Sequence, residues 1–215
     1  LDGYDALPAV LPRVQVLHRA VSAARKQEQA LRPLLRAHGY YEAVNLAFVS
    51  EEDLQAVHVT DRPERTRAVA LKNPIGAELA LLRSTLLPAL LRGASWNQRH
   101  GVAGLRQFEI GRIFLEQTGA DLPEERRQLL VFSVPDPAKT FWKRSEAQVA
   151  FFELKHLLLA AGAALRQPLR VVTATPETIA PYLHPGIAGG VVGGANDTTV
   201  GEIGVLHADV ERHWE

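Results

Sequence analysis

The stretch Leu105-Arg106-Gln107-Phe108-Glu109-Ile110-Gly111-Arg112-Ile113-Phe114 constrains the fold more than any other part of the chain. Its period is two, which is the signature of a strand. Phe108, Ile110 and Phe114, with Arg112 among them, fall on one face; Gln107, Glu109 and Gly111 fall on the other. The aromatic face is expected to lie under a layer of helices, with Phe108 and Phe114 buried. Gly111 carries no side chain, so another backbone or a ligand can come close on its face.

The segments around this strand follow from periodicity and punctuation. Leu1 to Arg13, with Pro8 and Pro12, is expected to be the tail of a preceding domain, and residues 14–215 the domain itself. From about Val14 to His38, Leu17, Val21, Ala24, Leu31 and Leu35 form one apolar helical stripe, with Arg25, Lys26, Glu28 and Arg32 off it. Gly39 is placed to stop this helix, and Pro33 inside it predicts a kink or a split. Tyr40 to Ser50 alternates as one strand with apolar residues on both faces, which predicts a central place in the sheet. Ser50 ahead of Glu51, Glu52 and Asp53 caps a short helix, residues 61–67 form a loop, and Ala68 to Leu71 is a short strand. Thr85 as N-cap, with Pro88 at the third helical position, opens a helix whose stripe is Leu87, Leu90, Leu91 and Ala94.

Beyond a polar loop from Glu116 to Glu125, Arg127 to Val134 reads as a strand and 135–143 as a loop. Ser145 and Gln148 form a capping box for a helix whose expected face is Val149, Phe152, His156, Leu157 and Ala160, ended by Gly162. Leu169 to Ala174 is a strand, and Ile187–Val192 and Thr198–Leu206 flank a Gly-Gly-Ala-Asn-Asp turn as a hairpin. Ala208 begins a last short helix. Strands do not alternate regularly with crossover helices. An α+β fold with a mostly antiparallel sheet and helices packed on it fits this order better than a doubly wound parallel sheet.

Composition removes several chemistries. Lys plus Arg and Asp plus Glu are 24 each, so there is no bulk attraction to nucleic acid or to an anionic membrane, and the apolar runs are too short to span a bilayer. The chain has no cysteine, hence no disulfide framework and no thiolate. The 8 histidines have no i, i+4 histidine partner, so no zinc site is expected. His184-Pro185-Gly186 is read as a turn that starts a strand. The glycines from Gly189 to Gly194 lack the Gly-Lys-Ser/Thr of a phosphate loop, and no Gly-x-Ser-x-Gly elbow is present. Trp96, Arg99 and His100 are left as a candidate for stacking on a base and holding phosphate. Methionine is absent too, and the chain is read as a piece of something longer.

Phe108-Glu109-Ile110-Gly111-Arg112-Ile113-Phe114 resembles the first strand of motif 2 in class II aminoacyl-tRNA synthetases. In that family a Phe-Arg-x-Glu signature closes the strand, and its Arg grips the ATP α-phosphate. Phe114 matches the Phe; Leu115 stands at the Arg position and Gln117 at the Glu position. The strand is kept and its chemistry is lost. More widely, the order of segments resembles the catalytic-like module of the β chains of bacterial phenylalanine–tRNA ligases. Gly3-Tyr4-Asp5-Ala6-Leu7-Pro8, His38 to Ala43 with Phe48-Val49-Ser50, and Asn73-Pro74 with Leu82 to Pro88 carry the likeness. So do the Phe108 strand, Phe151 to Lys155, His184-Pro185-Gly186 and Gly201 to His207.

This resemblance implies a six- or seven-stranded antiparallel class II fold without a catalytic residue, cofactor or metal site in this chain. It implies that a partner α chain binds ATP, magnesium and phenylalanine, in an α2β2 assembly in the cytoplasm that charges tRNA(Phe). A third class II motif, a glycine-rich strand feeding a helix with an Arg, is not visible; Arg212 lies near the place without the glycines. The stripe of Leu17, Val21, Ala24, Leu31 and Leu35 is the candidate subunit interface, because the helix before the first sheet strand builds that contact in class II folds. On this reading Leu31→Glu would abolish association and leave the sheet folded. Two other functions remain open: a free-standing adenylating enzyme, which needs the missing motif 2 Arg, and an RNA-binding adapter using Trp96 and Arg99.

Overall fold

The computed structural model describes residues 10, 20–57, 68–136, 138, 146–175 and 178–214. The expected tail 1–13 (apart from Val10), Leu17, the 61–67 loop, most of 135–143 and the Ser145 cap lie outside the described residues. Helices are α1 (Ala23–Ala37), α2 (Glu51–Ala56), α3 (Leu87–Arg99), α4 (Glu146–Ala164) and α5 (Ala208–Trp214). Strands are β1 (Tyr41–Glu42), β2 (Phe48–Val49), β3 (Leu81–Leu82), β4 (Arg106–Leu115), β5 (Glu124–Ser133), β6 (Leu169–Thr173), β7 (Leu183–Gly193) and β8 (Thr198–Leu206).

The centre is the β4–β5 hairpin, antiparallel from Arg106 opposite Ser133 to Leu115 opposite Glu124. Its two faces go into two cores. On one face Phe108, fully buried at 0% exposure, packs with Leu31 and Leu35 of α1, Tyr40, and Leu157 and Ala161 of α4, with Val131 beside it. On the other, Leu130 and Phe132 meet Leu87 and Leu91 of α3, Val57 and Val210 of α5. The hairpin is a slab between two helical layers, as large apolar side chains on both faces require.

The expected six- or seven-stranded sheet is replaced, among the described residues, by three smaller ones, ordered β1-β4-β5, β2-β3 and β6-β7-β8. The predicted strand 40–50 is two short pieces, and its first piece is an edge strand paired parallel to β4. The chain leaves the ladder between them because its polar groups are used elsewhere. Asn45 turns to Glu109, and the Leu46 and Ala47 carbonyls accept from Arg83. Val44, which the alternation places in a strand, is 89% exposed. The 68–71 strand shrinks to a single bridge, Ala70 to Leu81. The β7–β8 hairpin forms as expected, its turn using positive φ at Gly194 and Asp197.

Helix α1 starts at the Ser22 cap and stays one helix through Pro33. Pro33 and Gln29, whose carbonyl loses its donor, are both exposed, so water can satisfy it. The N-cap of α3 is Leu86, not Thr85; the Thr85 hydroxyl oxygen instead accepts the Leu87 N–H at 3.3 Å. The buried face of α4 is Leu157 and Ala161, with Leu154 half-buried, while Phe152 and His156 point outward. Gly162 sits inside α4 rather than ending it. A Cβ there would stand 2.9 Å from the Gln167 carbonyl oxygen, so glycine admits the returning chain. No described helix is long and apolar enough to cross a membrane.

Two carboxylates tie helices down. Glu28 of α1 accepts from Arg127 of β5 at 2.7 Å and from Arg32 at 3.1 Å. Asp53 closes the capping box of α2 and takes Arg92 of α3. Burial opposes ionisation of both, but the hydrogen bonds they accept outweigh it and hold their pKa values below the usual carboxylate range.

Phe108→Ala should cost about 3–5 kcal/mol in urea unfolding; a loss below about 1 kcal/mol would place the residue on the surface. Because the folded pKa values of Glu28 and Asp53 are depressed, their stabilisation is present above the ordinary carboxylate pKa of about 4 and disappears as pH falls through the folded values. Urea midpoints measured from about pH 7 to about pH 3 should therefore fall more steeply in the wild type than in Glu28→Gln.

Candidate functional site

On the second face of β4 lie Glu109, Gly111 and Ile113, all buried. Strand parity puts Leu115 on the same side. The space that Gly111 leaves open is filled by Arg83. A Cβ at residue 111 would overlap Arg83 Nη2 and stand 2.9 Å from Leu86 Cδ2. Arg83 Nη1 donates to Glu109 Oε1 at 2.7 Å, in an ion pair whose side chains are 5% and 4% exposed. The other carboxylate oxygen, Glu109 Oε2, accepts from Asn45 Nδ2 at 2.7 Å. Arg83 Nε donates to the Arg112 carbonyl at 2.9 Å, and Nη1 also reaches the Leu46 carbonyl at 3.3 Å. The backbone of Arg83 is held as well: its N–H donates to Ala47 and its carbonyl accepts from Phe114, both at 2.9 Å.

Sequence reasoning placed the glycine gap correctly but missed its occupant. Arg83 lies in the Leu82 to Pro88 match, 28 positions before Gly111, and nothing local in the sequence pairs the two. Of the motif 2 residues, Phe108 is buried in the other core, and Phe114 is half-buried rather than buried. Arg112 is exposed and pairs with Glu125 at 2.7 Å. Leu115 is half-buried opposite Glu124, and Gln117 is exposed.

Adenylyl chemistry needs a fixed, available positive charge at the α-phosphate. Leu115 supplies none. Every arginine of the hairpin is committed to a carboxylate: Arg106 to Glu153, Arg112 to Glu125, Arg126 to Glu124, and Arg127 to Glu28. Arg83 is committed to Glu109. The residues at the motif 2 position do not fit a nucleotide. Among the described residues no group of three or more His, Cys, Asp or Glu is placed to hold a metal ion.

The candidate interface divides. Leu31 and Leu35 lie in this chain's own core, with Phe108, whereas Val21 and Ala24 are exposed. Leu31→Glu would therefore put a charge into that core, and cannot leave the fold untouched as the stripe alone implied.

Residues 7–215 match the model of the phenylalanyl-tRNA synthetase beta chain CLM domain. The chain belongs to that family. It is 28% identical over 220 residues to the phenylalanine–tRNA ligase beta subunit of Geobacter metallireducens, covering 100% of this chain and 26% of the relative. To the Xanthomonas campestris beta subunit it is 31% identical over 207 residues, covering 96% of this chain and 25% of that one. An Anaeromyxobacter dehalogenans beta subunit is 40% identical over 112 residues, 52% of this chain and 14% of the relative. The chain thus spans about a quarter of the length of the Geobacter and Xanthomonas relatives. Its fold matches a pyrrolysyl-tRNA synthetase from Desulfitobacterium hafniense with a TM-score of 0.62 at 16% identity, over 89% of this chain and 62% of that one. The fold is that of a class II synthetase catalytic domain, and the module is a catalytic-like one of the beta subunit.

Replacing Arg83 by Met should leave the Glu109 carboxylate buried without its cation and cost about 3–5 kcal/mol in chemical denaturation. A double replacement, Arg83→Met with Glu109→Leu, should recover part of that loss. A single variant as stable as the wild type would show that the pair does not hold this face together.

Proposed function

We propose that this module is a non-catalytic support within a phenylalanine–tRNA ligase. It presents folded surface to a partner α chain, and that chain carries ATP, magnesium, phenylalanine and the aminoacylation of tRNA(Phe), in an α2β2 assembly in the cytoplasm. The observation that carries this reading is Leu115 at the position of the phosphate-gripping arginine, in a hairpin whose own arginines are each ion-paired. Membership of the beta-chain CLM family supports it. Among the described residues, Val21 just ahead of α1 and Ala24 in its first turn are the part of the proposed subunit interface not used by the chain's own core. A free-standing adenylating enzyme would need an unpaired cation where Leu115 stands.

The test has two arms. Purified protein assayed for ATP–pyrophosphate exchange with phenylalanine, or with any other amino acid, should give no signal above a protein-free control, whereas an intact phenylalanine–tRNA ligase does. Mixed with a ligase α chain, the protein should co-elute on size exclusion, and Val21→Glu should weaken the complex without lowering thermal stability. Exchange that persists through repurification would sink the non-catalytic reading; failure to co-elute would sink the support role.

A further inference from the structure

Helix α3 buries Leu87, Leu90, Leu91 and Ala94 in the core, but its last turns carry Trp96 outward, at 61% exposure. The indole is not loose. The His100 imidazole, one turn on, stacks against it with centroids 3.9 Å apart and planes 24° from parallel. His100 Nδ1 in turn lies 2.7 Å from the Trp96 carbonyl oxygen. The result is a braced aromatic plate that keeps most of its surface open.

The plate borders an open groove of about 860 Å³ between α2, the 3-10 turn at Ala77–Leu79, α3 and α5. Its charges are unevenly answered. Glu51, Glu52, Asp53 and Glu78 line it against Arg92 and Arg99. Arg92 is paired with Asp53, and Arg99 is engaged as well. Glu52 and Glu78 are exposed and have no ion-pair partner among the described residues. Trp214 also lines the groove, and its indole Nε1–H is buried with no hydrogen-bond partner among the described residues. A buried donor without a partner is uncommon and marks a place where a polar group is wanted.

These features ask for one kind of occupant. Free carboxylates beside an open indole suit a guanidinium, which stacks on the ring and donates hydrogen bonds to the carboxylates. The Trp214 indole N–H needs an acceptor, and a peptide carbonyl is one. We infer that this groove is a docking site for an arginine-bearing peptide segment of a partner protein, its guanidinium on Trp96 and facing Glu52 and Glu78. An RNA base would stack on the same ring, but its phosphates would meet the unneutralised rim. The inference stands apart from the support role and from Leu115.

The test is fluorescence anisotropy of a labelled Gly-Arg-Gly-Arg-Gly peptide with the full 215-residue protein. Its citrulline counterpart, which is uncharged, and an oligouridylate of matched length are the comparison probes. The arginine peptide should bind in a salt-sensitive way, and the citrulline peptide and oligouridylate should not. Trp96→Ala, and separately Glu52→Gln with Glu78→Gln, should each weaken binding by about tenfold, while Trp96→Phe retains most of it. All these side chains are exposed, and circular dichroism checks that the variants fold. No binding by the wild type, or equal binding by both variants, overturns the inference. Oligouridylate binding that is lost in Trp96→Ala would overturn it too, in favour of RNA.

Discussion

The buried Arg83–Glu109 pair is the interaction on which the rest of this module depends. Two charges removed from water cost several kcal/mol each unless every lone pair and proton finds a partner. Here both carboxylate oxygens and two of the three guanidinium nitrogens are bonded. Glu109 takes Arg83 on one oxygen and Asn45 on the other, and Arg83 also donates to the carbonyls of Arg112 and Leu46. These bonds fix three stretches of chain to one another: the segment around Asn45–Ala47, the approach to α3, and β4. Helix α3 starts four residues after Arg83, so the pair also sets where Leu87 and Leu91 meet the hairpin. Gly111 is what makes the arrangement possible, because any side chain there would occupy the guanidinium's place.

The part of the fold that could be read from the chain was the part governed by local rules. The β4 alternation, the Ser50 cap, the α3 stripe and the Gly194–Asp197 turn each depend on neighbours within a few residues, and each appears. What could not be read depends on partners far away in sequence. Tyr40 to Ser50 alternates convincingly, yet its carbonyls are claimed by Arg83, some 37 positions on, and the strand breaks. The apolar stripe of α1 looked uniform, but Phe108 and Ala161 decide which of its residues are core, and they take Leu31 and Leu35 and leave Val21 and Ala24. On α4 the apolar pattern is nearly continuous around the helix, so periodicity could not choose a face; contact with Leu31 and Phe108 chose Leu157 and Ala161.

For the candidate site the same division holds. That the motif 2 position lacks its arginine is visible in the letters alone, at Leu115. That each arginine of the hairpin is ion-paired is visible only in three dimensions.

The arginines of this hairpin act as ties between layers. Arg127 joins β5 to α1 through Glu28, Arg106 joins β4 to α4 through Glu153, and Arg83 joins β4 to the chain beside β2. Arg112 and Arg127 stand directly opposite each other across the hairpin, an arrangement of like charges that would destabilise it if both were bare. Each is answered by its own carboxylate, Glu125 or Glu28, which removes that repulsion. The register extends the argument to the degenerate position itself. Residue 115 lies opposite Glu124. An arginine placed there would face a carboxylate rather than an open pocket, and would be drawn into the same pattern of ties as its neighbours.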